Sequence, residues 1–431
     1  MKHEMTLENI LSMESEDSLI GLAVLAKLAF SGADLSPLGS KLLQRLEMNP
    51  NDSNALMDLS IILHMKGNRD LGIAMQDQAL SISPLYRLGP DALPSGIRLL
   101  ALVSPGDLTE NNAVEFLVEG SNTVLDMLYV KEGTVIPENI PDHDVLIIAV
   151  SESDKNRSLL NHIGQLVTIW PKPVINLPDR IARLSRDGAS SILKNQQGIE
   201  MPLTARIDRN DLEKIGNQQI AITEYISDAN FPIIARPVDS HKGIGLSKLD
   251  TYLDVLDYLK NRSETEFYIS RFIDYSGSDG LFRKYRIVFI DGSPFVCHMA
   301  ISDIWLVHYL SAGMAENPER RDEEASFMAS FDGKFAVKHK VALQNIANSL
   351  ELEYVGIDCG ETKDGKLLVF EVDTSMTIHS MDSEEIFPYK KVQMNKVFNA
   401  FNGLLKKTKN NGFLQGSPEK NSSSNRATVN Y

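Results

Sequence analysis

The spacing of apolar residues divides the chain into a helical first part and a mixed α/β remainder. Over about the first 95 residues, apolar positions recur with helical periodicity and without a strand signal. From residue 96 onward, near-continuous apolar runs such as "GIRLLALVS" and "DVLIIAVS" alternate with helical segments such as "NRSLLNHIGQLV". Strands of this kind, separated by helices, predict a small parallel sheet over residues 96–185.

Antiparallel strand pairs are predicted in the following part, residues 186–405. The dipeptides Asp291-Gly292 and Asp364-Gly365 each separate two apolar runs, which is a strong hairpin signal. Residues 406–431 are polar and rich in Ser and Asn, so we expect a disordered tail there. The predicted fold class is α+β combined with α/β: a helical region, a small parallel α/β domain, and a domain of antiparallel sheets with helices.

The helical region, residues 1–95, resembles a tetratricopeptide array over residues 55–84. Pro50 and Pro84 lie 34 residues apart, which is the period of that repeat, and Gly72 would let two helices pack closely. An ordinary helical hairpin is the alternative. In either case we expect an accessory element, for dimerisation or acceptor recruitment, that holds no catalytic group.

Composition argues against several classes of protein, namely nucleic-acid binders, membrane-spanning proteins and secreted proteins. The 431 residues are 43% apolar and carry a formal charge of −15, which argues against a general nucleic-acid binder. No apolar run is long enough to span a bilayer, and the first residues are too acidic for a signal peptide. Cys297 and Cys359 lie in apolar runs, so we expect buried, reduced thiols in a cytoplasmic protein without nucleic-acid or membrane partners.

Loops at the carboxyl ends of parallel strands often bind ligands. The loop "SESDKNR", residues 151–157, follows one such strand, and its Asn156 and Arg157 could hold a carboxylate. We interpret it instead as a solvated loop.

Three carboxylates stand out near the end of the predicted antiparallel domain. Glu371 and Asp373 are two residues apart in "LLVFEVD", so they share one face of a strand. A turn at Asp364-Gly365 would bring Asp358 opposite this pair. Since like charges on one face repel each other, a cation is expected among them, and oxygen ligands of this kind suit Mg²⁺.

A second feature is the stretch "FPIIARPVDSHKGIGLSKLD", residues 231–250. It consists of two apolar runs around a loop that contains His241, Lys242, Gly243 and Gly245, and Arg236 lies inside the first run. Glycines and cations suit a phosphate, because backbone amides can then approach the anion. A plain β-hairpin is the alternative.

The order of these features resembles the ATP-grasp superfamily, which includes glutathione synthetase, D-alanine–D-alanine ligase and ribosomal-protein glutamate ligases. The matching segments are "SRDGASSILKNQQGIEMPLT", "PIIARPVDSHKGIG", "FYISRFI" and "GID…FEVD", in that order. The resemblance covers about residues 96–405, and the succession is more specific than any single motif.

The resemblance implies a role for each matching residue. Asp358, Glu371 and Asp373 match magnesium ligands, and Arg286 matches an arginine that faces the reacting phosphate. Arg236 takes the place of a phosphate-binding lysine. The remaining implied contacts with ATP are a loop over the phosphates (Ser240, His241, Lys242, Gly243 and Gly245), an adenine-binding hinge (Phe272 and Ile273), and two candidates for the ribose hydroxyls (Asp274 and Asp279).

The chain also departs from the family pattern. Gly188 stands where a second phosphate lysine is usual, with Arg186 nearby, and Asp373 replaces the usual Asn. Arginine at 236 keeps the charge of a lysine but binds as a planar fork.

The function implied is ligation of a carboxylate to an amine (or thiol) at the expense of ATP, through an acyl phosphate. The cofactors would be ATP and Mg²⁺, for which Mn²⁺ could substitute. The substrates would be small molecules or peptides, and the protein could form a homodimer. His379 is the best histidine candidate for substrate contact. The alternative is a non-catalytic nucleotide-binding adaptor or sensor whose helices bind a partner.

Overall fold

Three β-sheets and the helices around them make up the computed structural model, which describes residues 6–12, 18–89, 96–133, 139–240 and 243–415. The strands are β1 (Leu85–Leu88), β2 (Ile97–Val103), β3 (Thr123–Tyr129), β4 (Val145–Ile148), β5 (Val174–Ile175), β6 (Ile199–Glu200), β7 (Thr204–Asp208), β8 (Ile233–Pro237), β9 (Ser247–Leu249), β10 (Glu266–Arg271), β11 (Phe282–Ile290), β12 (Ser293–Ser302), β13 (Tyr354–Glu361) and β14 (Leu367–Asp373).

The helices cover the sheets and form the first part of the chain. They are α1 (Leu7–Ser12), α2 (Leu22–Phe30), α3 (Ser36–Met48), α4 (Ser53–Met65), α5 (Arg69–Ile82), α6 (Val114–Val118), α7 (Arg157–Val167), α8 (Pro178–Ile181), α9 (Arg186–Leu193), α10 (Arg209–Gly216), α11 (Tyr252–Lys260), α12 (Pro318–Ser330), α13 (Phe335–Lys338), α14 (Lys340–Leu350) and α15 (Lys390–Gln415).

The first sheet has the strand order β1-β3-β2-β4-β5. Strands β2 to β5 are mutually parallel, which confirms the sheet predicted from their apolar runs. Strand β1 is antiparallel to β3 and lies in the part for which no strand was predicted. That expectation was wrong because the strand is only four residues long. Its alternation places Tyr86 in the core and Arg87 against Asp126, a signal too short to detect by periodicity.

Two mainly antiparallel sheets follow in the remainder of the chain. The smaller has the order β7-β10-β8-β9, and the larger has the order β12-β11-β13-β14-β6, with β6 parallel to β14. Both predicted hairpins are present, between β11 and β12 and between β13 and β14. Gly292 and Gly365 have φ values of 75° and 83°, which glycine adopts without steric cost.

The helical region is attached to the rest of the protein by a shared core and by buried carboxylates. One apolar cluster joins Leu56 and Met57 of α4 with the first sheet and α15. Glu115 of α6 accepts a hydrogen bond from the backbone N–H of Ala23 in α2 at 2.9 Å, which links the helical region to the α/β part. Within the helical region, Asp58 of α4 accepts from the backbone N–H groups of Ile20 and Gly21, both at 2.9 Å. Burial raises the pKa of both carboxyl groups to about 7, and their hydrogen bonds to the backbone hold the start of α2 in place.

Helix α5 packs against α4 through a glycine, as predicted. Ser60 Oγ donates to the carbonyl of Gly72 at 2.7 Å, and a Cβ at Gly72 would lie within 3.0 Å of three atoms of the His64 ring. The close approach therefore depends on the missing side chain. The tetratricopeptide assignment itself stays a prediction.

The last helix extends farther than expected. Helix α15 continues to Gln415, so the first ten residues of the predicted disordered tail are helical. The helix interior packs in the core through Val397 and Phe401, and this packing supports a polar extension that periodicity alone would not predict.

Both cysteine thiols, of Cys297 and Cys359, are buried and unbonded, as expected. Burial raises the pKa of Cys297 to about 12, so this thiol is protonated and inert at neutral pH. None of the described helices combines the length and apolar character needed to cross a membrane.

We predict that Gly72→Ala lowers the free energy of unfolding by about 1–3 kcal/mol, because the new methyl group would overlap the His64 ring. Gly39→Ala in α3 is the matched control, since its Cβ would meet no atom within 4 Å. Replacing this helical glycine should raise stability by up to about 1 kcal/mol. Urea denaturation of both variants tests the difference, and equal effects would show that the α4–α5 contact does not need glycine.

Candidate functional site

The three predicted carboxylates lie on the central strands of the larger antiparallel sheet. Asp358 on β13 is directly opposite Glu371 on β14, and Gly356 is opposite Asp373. On its other side, Asp358 is opposite Arg286 of β11. The hairpin therefore brings the acids together as the sequence predicted, and adds an arginine from the neighbouring strand.

Asp358 is held by two cations. Arg286 donates to it through Nε at 2.8 Å and Nη2 at 3.0 Å, and Lys284 Nζ lies 3.0 Å from Oδ2. Burial by itself would raise the pKa of Asp358, but the charges of Arg286 and Lys284 outweigh it, so this pKa lies well below its usual 3.8. Lys284 was missed by the sequence reasoning, although its position two residues before Arg286 places it on the same face of β11.

Glu371 is paired with an arginine from a helix. Arg186, in the first turn of α9, donates to Glu371 Oε1. Burial would raise the pKa of Glu371, but the charges of Arg186 and Arg236 lower it below its usual value. Asp373 accepts hydrogen bonds from the backbone N–H and the hydroxyl of Ser375, both at 2.7 Å.

Arg236 belongs to the same charged cluster, although it lies on the smaller sheet. It lies on β8 and is buried, with hydrogen bonds to the hydroxyl of Ser240 at 3.1 Å and to the Ser240 carbonyl. Burial lowers the pKa of Arg236 to about 10, and the nearby charge of Arg186 acts in the same direction. Among the described residues, no carboxylate is within ion-pair distance of this guanidinium.

The loop after Arg236 joins β8 to the antiparallel strand β9, as predicted. Gly243 and Gly245 have φ values of 73° and 74°, and the Gly245 carbonyl accepts a hydrogen bond from Tyr258 at 2.8 Å. His241 and Lys242 lie outside the described residues.

The loop 151–157 is not the solvated loop that we expected. Asp154 pairs with Arg206 of β7 at 2.5 Å, and its backbone N–H donates to Asp239 at 3.4 Å. The loop thus connects the first sheet with the smaller antiparallel sheet. Arg157, which could have held a ligand carboxylate, pairs with Asp154 at 3.0 Å.

Glu152 in that loop is a site residue that the sequence reasoning missed. Its side chain is only 17% exposed, and its nearest cation is Arg157 at 3.6 Å. Burial raises the pKa of Glu152 to about 7, and the negative charge of Asp373 contributes to the same shift. Its neighbours come from several elements, so no local sequence pattern could have indicated it.

The chemistry of the carboxylates suits Mg²⁺, but their arrangement here does not fit a bound ion. Both oxygens of Asp358 are engaged by Arg286 and Lys284, and Glu371 is engaged by Arg186. Across the part of the chain that the structure describes, no three His, Cys, Asp or Glu side chains are grouped to hold a metal. The metal site at Asp358, Glu371 and Asp373 stays a prediction.

The residues matched to the adenine hinge and ribose have partners other than the residues of the charged cluster. Phe272 packs edge-on against Trp305 at a centroid distance of 5.7 Å, with Lys248 Nζ 5.0 Å from its ring, and Ile273 is half-buried beside it. Asp274 and Asp279 are bound by surface cations, Lys363 at 2.6 Å and Arg283 at 2.7 Å. Their roles stay predictions.

The structure gives a reason for glycine at position 188. It lies in the first turn of α9, where its N–H donates to Ser185 Oγ at 3.3 Å. A Cβ there would stand 2.4 Å from the backbone oxygen of Arg183. No larger residue fits without a backbone shift, and Arg186, two residues earlier, supplies the cation on this helix instead.

Comparisons with known proteins find similarity in solved structures only. No family model matches the sequence, and no curated protein matches it either. VanG D-Ala:D-Ser ligase from Enterococcus faecalis is 14% identical with a TM-score of 0.44, covering 72% of this chain and 100% of that chain. A RimK domain ATP-grasp protein from Sphaerobacter thermophilus is 14% identical with a TM-score of 0.43, covering 72% and 99%. D-alanine–D-alanine ligase from Coxiella burnetii is 10% identical with a TM-score of 0.46, covering 74% and 98%.

We predict that Asp358→Asn lowers the free energy of unfolding by about 3–5 kcal/mol at pH 7, the usual cost of breaking a buried ion pair. Folding lowers the pKa of Asp358 below its usual 3.8. The stabilisation of the folded state by the ionised carboxylate is therefore complete above pH 3.8, and it is lost only as the pH falls through the lower folded-state pKa. The difference between wild type and variant should therefore stay level from pH 7 to 5.

The control for this prediction is Asp279→Asn, which breaks an exposed pair with Arg283 and should cost little. Chemical denaturation at several pH values measures both variants. A difference for Asp358→Asn that grows as the pH falls from 7 to 5 would contradict the ionised, cation-bound state.

Proposed function

We propose that this protein is an ATP-dependent ligase that joins a carboxylate to an amine through an acyl phosphate. The observation that carries the proposal is a charged cluster in which four cations, from two antiparallel sheets and helix α9, act on two carboxylates. Lys284 and Arg286 contact Asp358, Arg186 contacts Glu371, and the charge of Arg236 also acts on Glu371. Asp373 lies two residues after Glu371 on β14.

The distribution of charge in this cluster favours an anionic ligand. Arg236 is buried and lacks an ion-pair partner among the described residues, although burying an unpaired cation is costly. A phosphate beside it would offset that cost and accept charge-assisted hydrogen bonds. Its place on β8, directly before a glycine-bearing loop, supports the phosphate-binding interpretation of that loop over a plain hairpin.

The proposed reaction requires placement and neutralisation of charge more than a protein nucleophile. A substrate carboxylate oxygen would attack the γ-phosphorus of ATP and release ADP. The amine would then attack the acyl carbon, expel phosphate and lose a proton. Arginine and lysine side chains stabilise the charge that develops on the transferred phosphoryl group. We assign this role to Arg236 of the smaller antiparallel sheet and Arg286 of the larger one.

The adaptor or sensor is the second candidate, and one observation favours it. Asp358 and Glu371 are engaged by protein cations, an arrangement that is stable without a metal. A protein that binds a nucleotide for signalling would need the cations of this cluster but no turnover.

We predict that Arg236→Ala weakens ATP binding by about 1–3 kcal/mol, because a charge-assisted partner of the phosphates is lost. Arg98→Ala is the matched control, since Arg98 is an exposed residue at the start of β2 that pairs with Asp142 in the first sheet's surroundings and not with the charged cluster. Calorimetric titration with ATP, with and without Mg²⁺, measures the difference. Equal affinities of the two variants would remove Arg236 from the nucleotide site.

We predict that Glu371→Gln abolishes ADP release, because the predicted metal site at Asp358, Glu371 and Asp373 loses the charge of one ligand. The protein should stay folded, since Glu371 is one-third exposed and Asp358 keeps its pair with Arg286. Glu323→Gln is the control, because Glu323 also pairs with an arginine, Arg283 at 2.5 Å, that is not one of the four cations of the cluster. A screen of amino acids and short peptides with ATP and Mg²⁺ reports ADP release. Nucleotide binding without turnover by any wild-type mixture would favour the adaptor.

A further inference from the structure

The loop that follows β14 connects the candidate site with the helical region. Met376 and Ile378 are 6% and 3% exposed, and they lie in the same apolar cluster as Leu56 and Met57 of α4. Because buried residues alternate along this loop, the intervening side chains face the other way. The buried side of the loop is thus held by a core to which the helical region contributes.

His379 ends this alternating segment and is enclosed by two aromatic rings. The Phe30 ring of α2 lies 5.9 Å from the His379 ring, and the Phe116 ring of α6 lies 6.2 Å away. The contact with Phe30 comes from the last residue of α2, in the helical region. An imidazole on the loop beside the candidate site is therefore oriented partly by a domain to which no catalytic group was assigned.

The hydrogen bonding of His379 defines its tautomer. Its Nδ1 accepts a hydrogen bond from the backbone N–H of Met381 at 3.2 Å, so the ring proton is on Nε2. The charged groups around the ring are Asp382, Lys390 and Arg286, and burial together with the two cations lowers the pKa of His379 below 6.5. At neutral pH the ring is thus an uncharged donor, and no described residue accepts from its Nε2–H.

We propose that the helical region forms one wall of the acceptor end of the site, with Phe30 positioning His379 and offering its own exposed ring to an apolar side chain of the acceptor. This inference rests on the proposed ligase function. Phe30 is 44% exposed despite its contact with His379, so part of its ring remains available to a ligand. The acceptor class is an amino acid or short peptide with an apolar side chain, whose polar backbone could accept from the His379 Nε2–H.

The test compares wild type with Phe30→Ala, Phe30→Leu and His379→Gln, and uses Met48→Ala as control. Met48 is an apolar residue of α3 that is 81% exposed, so its removal should change nothing at the site. The probes are L-leucine, L-phenylalanine, L-glutamate and the dipeptide Leu-Leu. Two readouts are combined: steady-state ADP release with ATP and Mg²⁺, and the ring signals of His379 in ¹⁵N-histidine-labelled protein, assigned by their loss in His379→Gln.

We expect Phe30→Ala to raise KM for the apolar acceptors about tenfold, the usual scale for one lost apolar contact, while kcat and KM for ATP change less than twofold. Phe30→Leu should bring the KM for the apolar acceptors most of the way back to the wild-type value. The His379 signals should shift in Phe30→Ala but not in Phe30→Leu or Met48→Ala. An unchanged acceptor KM together with unchanged His379 signals would overturn the proposal.

The labelled protein separates this inference from the ligase function. If the wild type releases ADP with none of the four probes, the proposed ligase function fails. The His379 signals then still test whether Phe30 contributes to a binding site. Saturating apolar probes should then shift those signals in wild type and in Met48→Ala, but not in Phe30→Ala. Equal responses in all three proteins, or none in wild type, would show that Phe30 forms no part of a binding site.

Discussion

The buried pair of Asp358 with Arg286 is the interaction on which the candidate site depends. Asp358 is 3% exposed on the central strand of the larger antiparallel sheet, where an uncompensated carboxylate would be costly. The two hydrogen bonds from Arg286 and the contact from Lys284 keep it ionised. Neighbouring strands thus fix opposite charges at adjacent register positions, which makes the sheet itself the scaffold of the site.

The smaller antiparallel sheet and helix α9 each contribute one further cation to this arrangement. Arg186 neutralises Glu371 from a helix N-terminus, where a cation is disfavoured unless an acid lies nearby. Arg236 arrives from β8 and lowers the pKa of Glu371 further. These charges come from separate structural units, so their balance depends on how closely the two sheets approach. A bound polyphosphate would contact both sheets, and its binding would be coupled to their separation.

Short-range features of this protein could be predicted from the sequence, whereas features that arise between distant elements could not. The hairpins at Asp291-Gly292 and Asp364-Gly365 were predicted because turn chemistry is local. The opposition of Asp358 and Glu371 followed from that turn. Strand β1 was missed because four residues show no usable period.

The neighbours of Glu152 and the partners of the three carboxylates depend on tertiary packing, which a single sequence does not encode in any local pattern. The expected metal site is an example. The three carboxylates lie together as predicted, but some of the cations that contact them were not predicted. Lys284 was detectable in principle from its spacing to Arg286. Arg186 was noticed only as a neighbour of Gly188, and the reason for that glycine, the proximity of the Arg183 carbonyl, is visible only in three dimensions.

The attachment of the helical region changes how its role is to be understood. A separate accessory domain would have its own core and a polar boundary with the remainder of the protein. Here a second core of α1 to α4 does exist, but Leu56 and Met57 belong to the cluster that also buries Met376 and Ile378. The loop after β14 therefore takes its shape from both regions at once. A change in the packing of α2 would reach His379 directly through the ring of Phe30, without passing through the sheets that hold the charged cluster.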